Sequence, residues 1–301
     1  MKLSPAQKQA GTFVLGLFVA LVAASLFPEV GRKGGWLHTE VLTKVLVFMV
    51  FFFQGLMLPT EQLLAGLREW RLHLFCQLSN FAIAPAFAVG VLTLMAGWSH
   101  APLVWAIFYL SALPTTISTA VIFCTLAEAN VAAAVFNTAI ANILGVVFVP
   151  LVFAFALHAS GMIGSGADAH ATGAVLKLVL QVWSLLLLPL LIGQGLRRWL
   201  KHVAKARKQW IGRFNQTAIY LIVFAAFSNA VSDAVWSQVG TVTLLRFGAA
   251  TVLLFAAMQA FVFLAGRRLF GELAGAAPVA FFCGGQKTLA AGVPMAQSIF
   301  A

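Results

Sequence analysis

Long apolar runs separated by short polar or basic segments dominate this chain. A helix needs roughly 20 mostly apolar residues to cross a bilayer, and proline, glycine and charged residues mark where such runs end. The pattern predicts nine membrane-spanning helices, which we number as spans one to nine. Their expected positions are 11–28, 37–58, 71–97, 102–125, 130–157, 172–196, 213–231, 241–266 and 276–296.

The composition indicates a polytopic membrane protein. Of the 301 residues, 61% are hydrophobic and only 9% are charged, which leaves too few polar side chains to cover a soluble domain. A net charge of +11 is also found in nucleic-acid-binding proteins, but here the basic residues lie in short segments between apolar runs. We therefore expect the lipid bilayer, and no nucleic acid, as a partner.

The distribution of lysine and arginine predicts the orientation of the chain. Connections on the side of the N-terminus carry 13 of these residues, seven of them between Arg197 and Arg213, whereas the other side carries Arg32 and Lys33. Cytoplasmic connections of membrane proteins are enriched in lysine and arginine. We therefore expect the N-terminus in the cytoplasm and the protein in the plasma membrane or bacterial inner membrane.

The spans are expected to form two inverted repeats. Residues 1–157 contain spans one to five, residues 158–171 form an extracytoplasmic linker, and residues 172–301 contain spans six to nine of a second repeat that lacks its tenth span. Pro114 interrupts span four, and the pair Gly284–Gly285 interrupts span nine at the matching position. Broken helices at matching positions of two repeats are typical of a transport site.

Polar side chains are concentrated at these two interruptions. Hydroxyl and amide groups, and carbonyl oxygens freed by a broken helix, are suitable ligands for a hard cation. The candidate ion-binding and solute-binding residues are Asn80, Thr115, Thr116, Ser118, Thr119, Asn137, Thr138, Gln286, Lys287 and Thr288. Helix packing is the alternative, because serine, threonine and asparagine also form hydrogen bonds within and between membrane helices.

Lys287 lies inside the last apolar run of the chain. The basic residues Lys44, Lys177 and Arg246 also lie in apolar runs, but near span ends, where a long side chain can reach water. A charged side chain at membrane depth costs several kcal/mol unless protein or water surrounds it, so it indicates a functional site by default. Lys287 is therefore the strongest single candidate.

Several stretches resemble the bile acid:sodium symporter family, in particular its SBF-like branch. The resemblance rests on residues 118–121 (STAV), 129–132 (ANVA), 136–139 (FNTA) and 282–294 (FCGGQKTLAAGVP), and it covers nearly the whole chain. It implies an all-α fold with a panel domain of helices 1, 2, 6 and 7 and a core domain of helices 3 to 5 and 8 to 10, of which this chain has helices 3 to 5, 8 and 9. It also implies that broken helices four and nine cross at mid-membrane.

The resemblance further implies sodium ligands at four positions of this chain. These are Asn80, Ser118, Thr119 and Thr138. Symporters of the better-known branch have a carboxylate in helix nine that two sodium ions share, but residues 281–287 of this chain contain no acid. An ammonium group would repel a sodium ion 4 Å away by about 4 kcal/mol at an effective dielectric constant of 20.

Two hypotheses for Lys287 follow. In the first, its ammonium group replaces one sodium ion, either by holding the interrupted helices together or by pairing with an anionic solute. Loss and gain of its proton would then couple transport to H⁺. In the second, the side chain reaches an aqueous vestibule and only borders the site. We favour the first.

The predicted function is secondary active transport of a small organic, anionic solute by alternating access, coupled to Na⁺ or H⁺. Apart from Na⁺, no cofactor is expected. One alternative is a regulatory membrane protein that kept the carrier fold without ion coupling, which the missing carboxylate makes credible. A membrane-embedded lipid enzyme is the other, but it needs an activated nucleophile, an acid pair or a metal cluster, and the sequence shows none. We therefore expect a protein that is not an enzyme.

Overall fold

The structure is a computed structural model that describes residues 5–58, 69–94, 101–159, 169–234, 239–273 and 275–300. All regular secondary structure in these residues is helical. The helices are α1 (Pro5–Leu26), α2 (Pro28–Gly31), α3 (Thr39–Met57), α4 (Trp70–Leu78), α5 (Ala84–Leu94), α6 (Ala101–Ala112), α7 (Ile117–Leu126), α8 (Val131–Ala159), α9 (Ala169–Ala206), α10 (Lys208–Ser232), α11 (Thr241–Phe270), α12 (Ala276–Gly285) and α13 (Leu289–Phe300). A π-helical segment, Ser79–Ile83, joins α4 to α5.

Five helical stretches among the described residues are long and apolar enough to cross a membrane. They are Thr39–Met57, Trp70–Leu94, Val131–Ala154, Lys208–Ser232 and Thr241–Phe270. Large apolar side chains such as Phe18, Leu245 and Phe255 are exposed on the helices, as expected for surfaces that face acyl chains. The prediction of an all-helical integral membrane protein is therefore confirmed.

Two helices are interrupted close to the predicted positions. Residues 113–116, which include Pro114, separate α6 from α7. The second interruption is displaced towards the C-terminus, because Gly284 and Gly285 complete α12 and the break covers residues 286–288. The first of these three residues is extended, with φ −88° and ψ 152°. Glycine at a helix end is tolerated, and it is the polar residues after it that leave the helix.

The basic segment between spans six and seven is helical, contrary to the predicted loop. Helix α9 continues to Ala206 and α10 begins at Lys208, so that only Arg207 separates them. The helices themselves therefore extend past the predicted bounds of 196 and 213. Arginine, lysine and alanine are strong helix formers, and cations near a helix C-terminus interact favourably with its dipole. The basic residues mark the end of the apolar part of α9, but the helix itself continues through them to Ala206.

The chain divides into two compact units. The first contains Met1–Leu58, Val182–Gly240 and Val293–Ala301, and the second contains Pro59–Gln181 and Thr241–Gly292. Helices α9 and α13 each contribute to both units.

In the first unit, α1 and α3 pack against α10, and α3 meets α9 at two glycines. A Cβ atom at Gly55 would overlap the carbonyl group of Leu190, and one at Gly193 would overlap the carbonyl oxygen of Phe52. Small residues allow the backbones of membrane helices to approach this closely.

In the second unit, α12 packs against α4, α7, α8 and α11. These helices share a buried apolar cluster that includes Cys76, Cys124, Ala134, Phe270 and Cys283. The three cysteines are free thiols. The cluster fixes α12 among its neighbours and thereby positions the break that follows it.

Candidate functional site

The break between α6 and α7 exposes three successive backbone carbonyl groups. Proline disfavours a helical conformation at the residue before it, and residues 113–116 lie between α6 and α7. The carbonyls of residues 113, 114 and 115 are therefore outside both helices. Each receives a donor from another segment of the second unit. Leu113 O accepts from Lys287 Nζ (2.9 Å), Pro114 O from the backbone N–H of Thr288 (2.9 Å), and Thr115 O from Asn142 Nδ2 (3.0 Å).

The break between α12 and α13 is held in a similar way by amide side chains. Cys283 O accepts from Asn80 Nδ2 (2.9 Å), and Gly285 O accepts from Gln259 Nε2 (3.1 Å). After the break, the Thr288 hydroxyl accepts from the backbone N–H of Ala290 (3.2 Å) and so caps the start of α13. Protein groups therefore satisfy these five carbonyls at the two breaks, as irregular backbone in an apolar environment requires.

The π-helical segment frees a further carbonyl at Asn80. The N–H of Ala84 donates to Ser79 O, five residues back. An α-helical donor for Asn80 O would be this same N–H, and a π-helical donor would be that of Pro85, which has none. Asn80 O is consequently available to another partner, and it accepts from Lys287 Nζ at 3.0 Å.

Lys287 is thus enclosed by neutral oxygen atoms. Its Nζ lies 3.0 Å from Asn80 O, 3.3 Å from Asn80 Oδ1 and 2.9 Å from Leu113 O. An ammonium group has three N–H donors, so these three oxygens match its capacity. No acidic side chain of the described residues forms an ion pair with it. The positive charge is stabilised by carbonyl and amide dipoles, and it connects the π-helical segment, the first break and the second break.

The remaining candidates lie around this arrangement. Thr119 Oγ1 lies 3.0 Å from Thr116 Oγ1 and 3.3 Å from Gln286 Oε1, which links α7 to the second break. The side chains of Asn137 and Thr138 instead donate to carbonyls of their own helix, α8. Asn137 also accepts from Gln77 Nε2, through its backbone O at 3.3 Å and Oδ1 at 3.4 Å.

Ser118 belongs to α7, but its side chain lies outside the described part of the structure. Of the other predicted hydroxyl and amide ligands, Asn80 contacts the Lys287 ammonium directly. Within the described residues, no group of three or more histidine, cysteine, aspartate and glutamate side chains is placed to hold a metal ion. Two hydroxyl oxygens, Ser79 Oγ and Thr115 Oγ1, are buried and have no hydrogen-bond partner among these residues.

Several contributors lay outside the predicted set. Two are side chains, Asn142 and Gln259, whose amides hold the freed carbonyls. Another is the carbonyl of Leu113, which has no side-chain signature. The sequence does carry one overlooked signal for the π-helical segment, because Pro85 follows Asn80 by five residues and cannot donate a hydrogen bond to it.

Substituting alanine for Gly285 is expected to disturb the site more than the same change at Gly284. A Cβ atom at Gly285 would lie 2.8 Å from Gln259 Oε1 and 2.9 Å from Val262 Cγ2, so Gln259 must move away from Gly285 O. At Gly284 the nearest atom, Ser79 Cβ, is 3.4 Å away, an ordinary contact. Crowding in a packed interior costs about 1–3 kcal/mol.

The measurement is the melting temperature of the purified Gly285→Ala protein, with Gly284→Ala as the matched control. We expect a clear decrease for the first variant and a small change for the second. Equal decreases for both would contradict the specific role of the Gln259 hydrogen bond.

Comparisons with known proteins agree with this architecture. The sequence profile of the SBF-like CPA transporter family matches residues 11–301. The chain is 34% identical over 293 residues to the "Putative symporter YfeH" of Escherichia coli K12, covering 96% of this chain and 83% of that protein. It is 32% identical over 289 residues to "Uncharacterized protein PA2026" of Pseudomonas aeruginosa, with the same coverage of 96% and 83%. With "Sodium/bile acid cotransporter 7" of Danio rerio the identity is 31% over 300 residues, covering 96% and 83%.

The profile match includes both helix breaks and the segments that hold them, and its range confirms the resemblance that the sequence motifs indicate. The apolar helices and the relatives named as symporters and cotransporters agree on the class of protein. The chain belongs to the SBF-like CPA transporter family and is an integral membrane transporter.

Proposed function

We propose that this transporter moves a small organic anion by alternating access, with Na⁺ or H⁺ as the coupling ion. Its relatives include proteins named sodium/bile acid cotransporters, which supports an organic solute and an ion gradient. The observation that carries the proposal is the ammonium group of Lys287, which is held between two helix breaks by three neutral oxygens.

Lys287 takes the place of one bound cation in this proposal. Carbonyl and amide oxygens at about 3 Å are the ligands expected around a monovalent cation in a neutral site, and here they surround an ammonium group that is covalently attached to the chain. A tethered cation cannot leave with the solute. Its role is therefore to hold the two breaks together, and any coupling ion binds elsewhere or is a proton.

Direct pairing of Lys287 with the solute is less well supported, because its three N–H donors are already used by protein oxygens. The ammonium group still contributes a positive potential that favours an anion nearby. Neutral hydroxyl and amide groups, among them Thr116, Thr119 and Gln286, would then provide hydrogen bonds to the solute. This combination favours an anionic solute that also carries polar groups.

The proposal includes nine spans arranged as inverted repeats, with a panel and a core. The two compact units support it. The first unit contains α1, α3 and α10, from spans one, two and seven, and the second contains the helices of spans three, four, five and eight. The unequal distribution of lysine and arginine supports a cytoplasmic N-terminus in a plasma or inner membrane.

The test begins with a thermal-shift screen of organic anions on the purified protein, in NaCl and in KCl. A compound that stabilises the folded state is bound to it, and its uptake into proteoliposomes is then measured under imposed Na⁺ and H⁺ gradients. Accumulation of the intact compound under one gradient supports the proposal and identifies the coupling ion. Binding without uptake under either gradient would instead indicate the regulatory protein, and a chemically altered compound would indicate an enzyme.

A further inference from the structure

A groove of about 320 Å³ lies in the first unit, next to the junction of α9 and α10. We propose that it binds an anionic phospholipid of the adjacent leaflet, with an acyl chain against its aromatic wall and the phosphate at Arg207. This site is separate from the candidate transport site, all of whose described contacts lie in the second unit.

One wall of the groove is aromatic. The rings of Phe53 and Trp210 meet edge to face with centroids 6.0 Å apart, and Phe214 supports both, at 5.4 Å from Phe53 and 5.6 Å from Trp210. Trp210 and Val203, which line the groove, are 53% and 58% exposed. An apolar surface of this kind, open to its surroundings in a membrane protein, is suited to an acyl chain.

Positive charge surrounds the same groove. Arg207 lines it, and residues 197–213 carry seven lysines and arginines in total. Between Asp168 and Asp233 the sequence has no acidic residue to neutralise them. Among the described residues Arg207 forms no ion pair. Its planar guanidinium group can bind two oxygens of a phosphate at once.

Depth in the membrane favours a lipid over a water-soluble anion. The groove lies where α3 ends, at Met57, and where the basic residues of α9 leave the apolar part of the helix. Tryptophan and arginine at this level are typical of the boundary between acyl chains and head groups, and basic pockets between helices on this side bind anionic lipid head groups. A soluble anion would leave the aromatic wall unused.

The experiment measures lipid binding to the full-length protein in a neutral detergent by native mass spectrometry. The probes are dioleoyl phosphatidylglycerol, which is anionic, and dioleoyl phosphatidylcholine, which is not. We expect one saturable phosphatidylglycerol molecule to be retained in preference to phosphatidylcholine. Arg207→Gln is expected to lower the affinity for phosphatidylglycerol about fivefold, the change for one cation near a lipid phosphate. Trp210→Leu is expected to lower the affinity for both lipids.

Two matched controls are not among the residues that line the groove. Arg268→Gln removes an exposed cation at the end of α11, and Trp36→Leu removes a tryptophan that is 90% exposed. Both are expected to bind phosphatidylglycerol as the unaltered protein does. Unchanged melting temperatures without added lipid will show that the Arg207 and Trp210 variants are folded.

Three results would overturn the proposal. Equal retention of both lipids would mean an annular lipid without a specific site. An equal decrease in phosphatidylglycerol binding by Arg268→Gln and Arg207→Gln would mean that general surface charge causes the effect. Binding of glycerol 3-phosphate in competition with phosphatidylglycerol and with similar affinity would indicate a site for a free phosphate compound.

Discussion

Replacing Lys287 with methionine is expected to lower the melting temperature and to make the stability of the protein depend on Na⁺. Methionine has a similar length but no donors, so Asn80 O, Asn80 Oδ1 and Leu113 O lose their hydrogen-bond partner. An unsatisfied buried polar group costs about 1–3 kcal/mol. Lys287→Met leaves three such acceptors without a donor and removes the link between the two helix breaks. Its decrease in melting temperature should therefore be among the largest for any single substitution in this chain.

The sodium dependence follows from the same geometry. Without the ammonium group, the three oxygens form a neutral site that a sodium ion can enter, since the repulsion by Lys287 is gone. A ligand that binds only the folded state at 100 times its dissociation constant stabilises it by about 2.7 kcal/mol. We expect NaCl to restore part of the lost melting temperature in Lys287→Met, and choline chloride, whose cation is too large to enter between these oxygens, not to do so.

Lys44→Met is the matched control for removal of a lysine from an apolar helix. Lys44 is exposed in α3 of the first unit, and its replacement should change the melting temperature little and create no response to Na⁺. If Lys287→Met were as stable as the unaltered protein and indifferent to Na⁺, Lys287 would only border the site, as in the second of the two hypotheses.

The two helix breaks could be predicted from sequence because their causes are local. Pro114 lacks an N–H and restricts its neighbour. The Gly284–Gly285 pair weakens a helix, although these two residues stay helical and the break follows directly after them. Lys287 was also identifiable, since a charge in an apolar run is costly in any fold. The membrane class and the family followed from properties of the whole chain, which do not require knowledge of contacts.

The partners of Lys287 could not be predicted, because they are determined by tertiary packing. Leu113 contributes a backbone carbonyl, which every residue has, and Asn80 contributes a second carbonyl only because the helix there is π-helical. Asn137 and Thr138 looked equally suitable in sequence, yet their side chains donate to their own helix. Polar residue type identifies candidates, but the choice among them depends on which carbonyls lose their helix donors.

Replacing Asn80 with aspartate is expected to have the second large effect. The amide of Asn80 donates to Cys76 O and Cys283 O, both at 2.9 Å, while its Oδ1 accepts from Lys287. A carboxylate cannot donate, so Cys283 O and Cys76 O lose the amide donor, although Cys76 O still accepts from the backbone N–H of Ser79. At the same time the carboxylate pairs with the ammonium group. We expect the Asn80→Asp protein to fold, because the new carboxylate forms an ion pair with the Lys287 ammonium group. This stronger interaction should hinder the movement of the two breaks, so most of the transport measured in proteoliposomes should be lost.

The informative variant combines Asn80→Asp with Lys287→Met. This double variant removes the lysine ammonium group and replaces the neutral amide of Asn80 with a carboxylate. A carboxylate about 4 Å from a cation attracts it by about 4 kcal/mol at an effective dielectric constant of 20. Desolvation of the ion offsets part of this attraction. We therefore expect the NaCl concentration that gives half of the maximal stabilisation to be about tenfold lower in the double variant than in Lys287→Met. The measurement is a melting-temperature titration with NaCl at constant ionic strength, adjusted with choline chloride.

Asn137→Asp combined with Lys287→Met provides the matched control, because Asn137 is also fully buried in the second unit but does not contact Lys287. A carboxylate at this position should not improve Na⁺ binding at the oxygens around Lys287. If it did so as strongly as Asn80→Asp, general negative charge would explain the response and the position of Asn80 would not matter. A selective gain at Asn80 would show that the ammonium group of Lys287 occupies a cation site, because a carboxylate strengthens Na⁺ binding most where it contacts the bound ion.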